Sequence, residues 1–380
     1  MSPRPLFPPL SPEARGLLAR LDSALDAAAP LKPKHRADLP EAVAELSRSL
    51  TNERGCLPRG YMSDPRLLSA YLRYFLPWNV FRQARLFSGL ELELAEDATI
   101  ADLGAGPLTS VLALWLARPD LRERGLTFVC LDRSLKAVRA GVAVRERLLG
   151  TTPWRIVPVK GGVETPLRRP ADLVVLANAL NEFGWSGRED DAERAERLAK
   201  SLCRPLAAQG RLLVIEPGVR LAARALAVLR SALIARGLSA LCPCPHQGEC
   251  PMPGLGKAAW CHFNFDVEGA PDWLAGLSRD AGLAKRSASL SFVLFGREGE
   301  RQAGVPLARA VSEPFPVEAG RGQYACSERG LALLVYGPGA RPPQPGDAVP
   351  AVWPDAPRRD AKSGALILPL PGDEKGRARR

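Results

Sequence analysis

Hydrophobic and polar positions fall into three successive patterns along the chain. From residue 11 to 95, apolar residues recur at helical spacing. SPEARGLLARLDSALDAAA (Ser11–Ala29) opens with a serine cap and a proline at the first helical position. PEAVAELSRSL (Pro40–Leu50) repeats the pattern, and Ser63–Leu90 predicts two helices with a break near Pro77. From Ala98 short apolar runs alternate with helical stretches. ATIADL, LTFVCLD, WRIVPV, ADLVVLA and RLLVIEP are the strands, with helices following the first two, another near Ala192–Leu206, and one more over Val219–Leu238. Such alternation with short connections predicts an open parallel sheet with helices on both faces. After Cys261 the pattern turns to strands. Ser289–Arg297, Leu307–Pro314, Gly322–Glu328 and Leu331–Gly337 predict a small antiparallel unit, followed by Pro/Gly-rich sequence with one late apolar run, ALILPL. No internal repeat is present, and the closing GDEKGRARR is expected to be disordered.

These patterns divide the 380 residues into a helical N-terminal region (1–95), an α/β core (96–240), a cysteine-rich segment (241–265), remaining core elements with a β-rich unit (266–340), and a tail (341–380). No apolar run is long enough to span a bilayer, and the N-terminus lacks the order of charge and apolar core that a secretory signal needs. The expectation is a cytoplasmic protein with reduced thiols. There a cysteine cluster favours metal or redox chemistry over disulfides. The net charge of +11 and pI near 9.5 suit a polyanionic partner, with nucleic acid the commonest, although Arg, Ala and Pro are abundant throughout. One stretch sharpens the question. Arg59, Arg66, Arg73, Arg82 and Arg85 interleave with Tyr61, Tyr71, Tyr74, Trp78 and Phe81. That composition suits phosphate contact with base stacking, and equally a helical cap whose aromatics are core.

IADLGAGPLTS (Ile100–Ser110) is the sharpest motif of the core. Asp102 ends a strand, Gly104 and Gly106 permit a tight turn against a ligand, and a helix begins at the turn. Asp132 ends the next strand, where a carboxylate can accept both ribose hydroxyls of a nucleoside. The acid precedes the glycines as D-x-G-x-G, and Pro107-Leu108 occupies the place where a dinucleotide fingerprint has its third glycine. The fourth strand exits through Asn178, Asn181 and Glu182, candidates for contact with a transferred group. The pattern resembles the seven-stranded S-adenosylmethionine methyltransferases, a Rossmann-like α/β fold. The likeness implies a donor site at Asp102, Gly104, Gly106, Asp132 and Asn178. No N-P-P-[YF] loop or pyrimidine-type nucleophile accompanies it, so the sequence names a fold and no reaction.

Cys242, Cys244, Cys250 and Cys261 crowd one proline-rich segment, and Cys326 lies far downstream on a strand. Paired C-x2-C knuckles are absent, as is the C-x3-C-x2-C loop of radical enzymes. Prolines beside Cys244 and Cys250 and the loose spacing favour a four-thiolate iron–sulfur cluster, while His246 and His262 keep zinc open. P-C-P-H-x3-C-P, W-C-x-F and the distant cysteine, with RGYMSDPRLLSAYLRYFLPWN, DLGAGP, LNEF and RLLVIEPG, resemble the small-ribosomal-subunit methyltransferase-like assembly factors over Arg59–Tyr336. That resemblance implies a small-subunit ribosomal RNA binder and assembly factor with S-adenosylmethionine and a [4Fe-4S] cluster; the expectation is a monomeric S-adenosylmethionine-dependent methyltransferase acting on ribosomal RNA. Carried onto this sequence, it implies ligands Cys244, Cys250, Cys261 and Cys326, with Cys242 spare. Two alternatives remain: a catalytically silent assembly factor, and a small-molecule methyltransferase with a zinc site.

Overall fold

The structure is a computed structural model that describes residues 5–51, 62, 64–183, 185, 190–256, 258–297, 306–318, 320–337 and 340–370. The first helical stretch forms as two helices, α1 (Pro12–Ala19) and α2 (Leu21–Ala28), separated at Arg20. The Ser11 hydroxyl accepts from the Ala14 amide at 3.1 Å and starts α1. After α3 (Pro33–Ala37) and α4 (Leu39–Thr51), the stretch around Pro77 departs from the expected break. α5 (Pro65–Ala70) passes through a π-helical turn (Tyr71–Phe75) directly into α6 (Leu76–Gly89). Pro77 sits in the first turn of α6, where its missing N–H is tolerated, and the wider turn before it absorbs the misfit.

The interleaved arginines are internal ties. Arg73 and Arg85 are almost wholly buried. Arg73 donates to Asp26 and the Ala29 carbonyl, both at 2.9 Å, and Arg85 to the Phe7 carbonyl at 2.9 Å and Asp266 at 3.2 Å. Arg66 pairs with Asp38 and Glu45, and Arg82 with Asn79 and the Ser289 carbonyl. Tyr74, Trp78 and Phe81 are core. For Arg73, Arg85, Tyr74, Trp78 and Phe81 the arrangement is that of a helical cap whose aromatics are core. Arg59 and Tyr61 lie outside the described residues.

The core then runs β1 (Thr99–Leu103), α7 (Thr109–Ala117), β2 (Thr127–Asp132), α8 (Leu135–Leu149), β3 (Arg155–Lys160), β4 (Ala171–Ala177), α9 (Asp190–Cys203), β5 (Leu206–Pro217), α10 (Arg220–Ala235), β6 (Leu238–Cys242), β7 (Phe263–Asp266), α11 (Asp272–Asp280) and β8 (Ser287–Arg297). The main sheet has the order β3-β2-β1-β4-β5-β8-β6, parallel from β1 to β5, with β8 antiparallel between β5 and β6. This is the expected Rossmann-like methyltransferase fold. Alternate residues serve two cores: Leu173 and Val175 face the N-terminal helices with α7 and α8, while Val174 and Leu176 face α9 and α10. Ser289–Arg297 is therefore a strand of this sheet and not of the C-terminal unit. Its apolar alternation matched either place, and only pairing with β5 decided.

β6 and β7 divide the outer edge of β8 between them. β6 pairs with Leu294–Arg297 and β7 with Ser287–Leu290. They are one edge strand interrupted by an excursion over 243–262, the cysteine segment. A second sheet follows, β9 (Leu307–Ala310), β10 (Phe315–Val317), β11 (Gly320–Ser327), β12 (Gly330–Tyr336), β13 (Ala348–Pro350) and β14 (Leu366–Pro369), ordered β13-β9-β11-β12-β14 with β10 on β11. The late apolar run of the tail enters it as β14, parallel to β12. Among the described residues no helix is long and apolar enough to cross a membrane.

Candidate functional site

The carboxyl ends of β1, β2, β4 and β5 bring Asp102, Asp132, Asn178 and Glu216 to one edge of the main sheet. Asp132 is structural as well as available. Its Oδ2 accepts from the Gly106 amide at 2.9 Å and its Oδ1 from the Ser134 amide at 2.7 Å, tying the glycine turn to the next loop. Gly104 and Gly106 take φ of 76° and 49°, the left-handed region that suits glycine. Leu108 follows them with φ 62° while fully buried, a conformation that costs a leucine roughly 1–2 kcal/mol. Gly141 on α8 lies against Pro107, where a side-chain carbon would meet the proline carbonyl within 2.5 Å, so α8 closes directly on the turn.

Asp102 is 1% exposed. Ser110 donates to its Oδ1 at 3.4 Å, and its Oδ2 has no partner. Burial pushes its carboxyl up to about 7, Ser110 opposes the shift, and the Asp132 charge adds to it. A buried, half-satisfied carboxylate beside two left-handed glycines fits the cationic amino end of S-adenosylmethionine. Asn178, at φ 56°, leaves β4 with its amide on the Ile215 carbonyl at 2.7 Å. The fully buried Glu216 accepts from the Leu180 amide at 2.9 Å and fixes the same exit. Asn181 and Glu182 form part of the short turn Leu180–Phe183, and their side chains lie outside the described set.

Some distance along the sheet, Cys244, Cys250, Cys261 and Cys326 line one cavity with His246, Arg230, Arg309, Met252, Phe263 and Val311. The space between them is small, about 20 Å³. The excursion is pinned at both ends. The Gln247 amide replaces a strand partner for Ala240, accepting and donating at 2.8 and 2.9 Å, and Ser291 donates to the Cys261 carbonyl at 2.7 Å. Arg230, 2% exposed, reaches from α10 with Nε 3.3 Å from the Cys244 sulfur, while its other nitrogens hold the carbonyls of Gly248 (2.8 Å) and His246 (2.7 Å). The second sheet contributes Cys326 of β11, whose sulfur lies 3.3 Å from His246 Nε2, and Arg309 of β9, which donates to the Pro243 carbonyl at 2.9 Å. Burial pushes the thiols of Cys250, Cys261 and Cys326 up, their mutual repulsion adds to it, and Arg230 pulls the other way. Among the described residues no carboxylate lines the cavity. Four soft donors fit an iron–sulfur core, whose cationic irons would draw the thiols into their anionic form, and the two arginines offset the net negative charge of the thiolate-bound group. Cys242 and His262 do not line the cavity: burial raises Cys242 to about 11, and His262 stacks on Trp260 at 4.8 Å. Among the described residues no three His, Cys, Asp or Glu side chains are disposed to hold a single metal ion, so the thiols stand around the cavity rather than about one point.

The family model described as mitochondrial small ribosomal subunit Rsm22 matches residues 96–311. This chain belongs to the Rsm22 family. The match spans the edge with Asp102 and Asp132 and three of the cavity cysteines, and stops short of Cys326 on β11. Comparison with the curated proteins finds no match. Similar solved structures include a putative class I S-adenosylmethionine-dependent methyltransferase from Listeria monocytogenes (11% identity, 77% of this chain and 88% of that one, TM-score 0.35). Another is the Methanococcus jannaschii fibrillarin pre-rRNA processing protein (14%, 60% and 76%, TM-score 0.31). A Pyrococcus furiosus methyltransferase is a third (14%, 54% and 78%, TM-score 0.32). At these values they carry no argument about this chain.

Sequence reasoning missed two residues of this Rsm22-family chain. Glu216 was visible as a lone acid closing an apolar strand. Arg230 was visible as a cation on the Leu226–Leu229–Leu233 stripe of α10, a place where a charge needs a buried partner.

Proposed function

We propose that this chain is a small-ribosomal-subunit methyltransferase-like factor that binds ribosomal RNA during subunit assembly, holds S-adenosylmethionine, and carries a [4Fe-4S] cluster. The family match carries the ribosomal reading. The meeting of four thiols with a buried arginine at one cavity carries the cluster reading. In this assignment Cys244, Cys250, Cys261 and Cys326 are the ligands, Arg230 orients Cys244, and residues 241–265 form the segment that joins core to second sheet. A bound cluster supplies bonds that tie the two parts together, as a disulfide does in an oxidising compartment. Asp102 and the glycine turn hold the donor's amino-acid end, Asp132 faces its ribose, and Asn178 with Glu216 shapes the exit toward an acceptor base.

The first test is the iron and acid-labile sulfide content of anaerobically purified wild type and Cys326→Ser, with visible spectra. Equal iron and sulfide, lost in the variant, is the expected result, and zinc alone would remove the cluster from the reading. Ribosomal association is tested separately by co-sedimentation with small-subunit particles. Donor dependence is tested by Asp132→Ala, whose ribosome defect should match that of a deletion; normal ribosomes in that variant would mean that the donor site is idle.

A further inference from the structure

A second cavity, of about 390 Å³, opens between the β3–β4 connection and the C-terminal end of α9. Val163 and Leu167 form its floor and pack on the α9–α10 core. Arg169 rises from one lip, Lys200 and Arg204 from the other, and Glu164 is the one acid in the lining. The three cations are exposed, and none has a hydrogen bond or ion pair among the described residues. That contrasts with Arg66, Arg73, Arg85, Arg230 and Arg309, each held by protein carbonyls or carboxylates. The C-terminus of α9 carries about half a negative charge. Together with Glu164 it offsets only about half of the three positive charges. The cleft therefore keeps a net attraction for an anion, and its volume falls in the range of small-ligand clefts, roughly 300–1,000 Å³.

Among the described residues the lining has no aromatic ring. Bases have nothing to stack on, so an apolar floor with cationic lips suits sugar and phosphate. The cleft runs from Val163, Glu164 and Thr165, just past the carboxyl end of β3, to Pro170 and Pro205 at the amino ends of β4 and β5.

We propose that this cleft is a sequence-independent site for the sugar-phosphate backbone of single-stranded RNA, a reading that rests on the ribosomal assignment and gives it a contact surface. The test compares wild type, Arg169→Glu/Lys200→Glu/Arg204→Glu, and a control of equal charge change at exposed cations on the N-terminal helices, Arg20→Glu/Lys32→Glu/Lys34→Glu. The probes are an oligouridylate and a small-subunit ribosomal RNA fragment over a salt series. The glutamine triple at the same cleft positions guards against misfolding, checked by circular dichroism. The expected result is a salt slope lowered by roughly 2 for the cleft variants, at about 0.7 per lost single-strand contact, with the control near wild type. Equal loss in the cleft and control triples would reduce the effect to bulk charge and overturn the proposal while RNA binding stood. Failure of wild type to bind either RNA would overturn the ribosomal RNA reading itself.

Discussion

Asp102 and Arg230 are buried charges placed where a ligand would complete them, and each carries a measurable consequence. For Asp102, the folded protein keeps its proton up to about pH 7, while the unfolded chain releases it near 3.8. The folded state therefore binds more protons across that window, and stability falls as pH rises through it, by at most roughly 1.4 kcal/mol per pH unit. Asp102→Asn cannot ionise. It should flatten the dependence and melt higher than the donor-free wild type at pH 8. Parallel melting profiles from pH 4 to 8 would contradict the burial argument. For Arg230, the planar fork serves one sulfur and two carbonyls at once. Arg230→Met removes the donor to the Gly248 and His246 carbonyls and the contact with the Cys244 sulfur, at a cost of roughly 1–3 kcal/mol, and should lower iron retention. Arg230→Lys keeps the charge and loses the fork, so its iron retention should fall between the two. A methionine variant with wild-type iron and stability would show that α10 has no role in holding the segment.

At the scale of elements, the interrupted edge strand is the decisive feature. β6 and β7 pair with the two ends of β8, and the chain between them leaves the sheet to meet β11 through Cys326 and β9 through Arg309. The second sheet has only a modest core of its own, with Ala308, Ala310, Ala325, Ala332 and Ala351 beside Leu334, Tyr336 and Leu368. Alanines bury little area each, so the sheet gains much from being tied to the main body. Cys250→Ser and Cys326→Ser are expected to speed protease cleavage at least several-fold in the chain after Arg297, leaving the main core resistant. Unchanged digestion of both variants would remove the joining role from the cysteines. The same scale explains two departures from the sequence reading. Pro77 reads as a helix stop, yet a π-helical turn directly preceding Leu76-Pro77 carries the helix past it. Ser289–Arg297 reads as part of the C-terminal unit, yet β5 takes it as a neighbour.

Across the whole molecule, periodicity and short motifs determined the parallel α/β core, the helical N-terminal region and the sheet edge that carries Asp102 and Asp132. These rest on local rules: a buried strand needs a short apolar run, and a glycine turn needs residues that accept positive φ. Asp102, Gly104 and Gly106 are legible because they are neighbours in the chain. The arginines among the aromatics were ambiguous for the opposite reason. Their partners, Asp26, Phe7 and Asp266, lie far away in sequence, and only packing shows that these charges are spent inside. The cysteine segment divides the same way. Sequence marked its thiols as candidates, but which of them share a cavity depended on a strand broken along β8 and on a second sheet bringing Cys326 across. The cleft with Arg169, Lys200 and Arg204 left no motif at all, since two lips some thirty residues apart build it. Local chemistry is written in residue order, whereas charge compensation and shared cavities are set by long-range contacts.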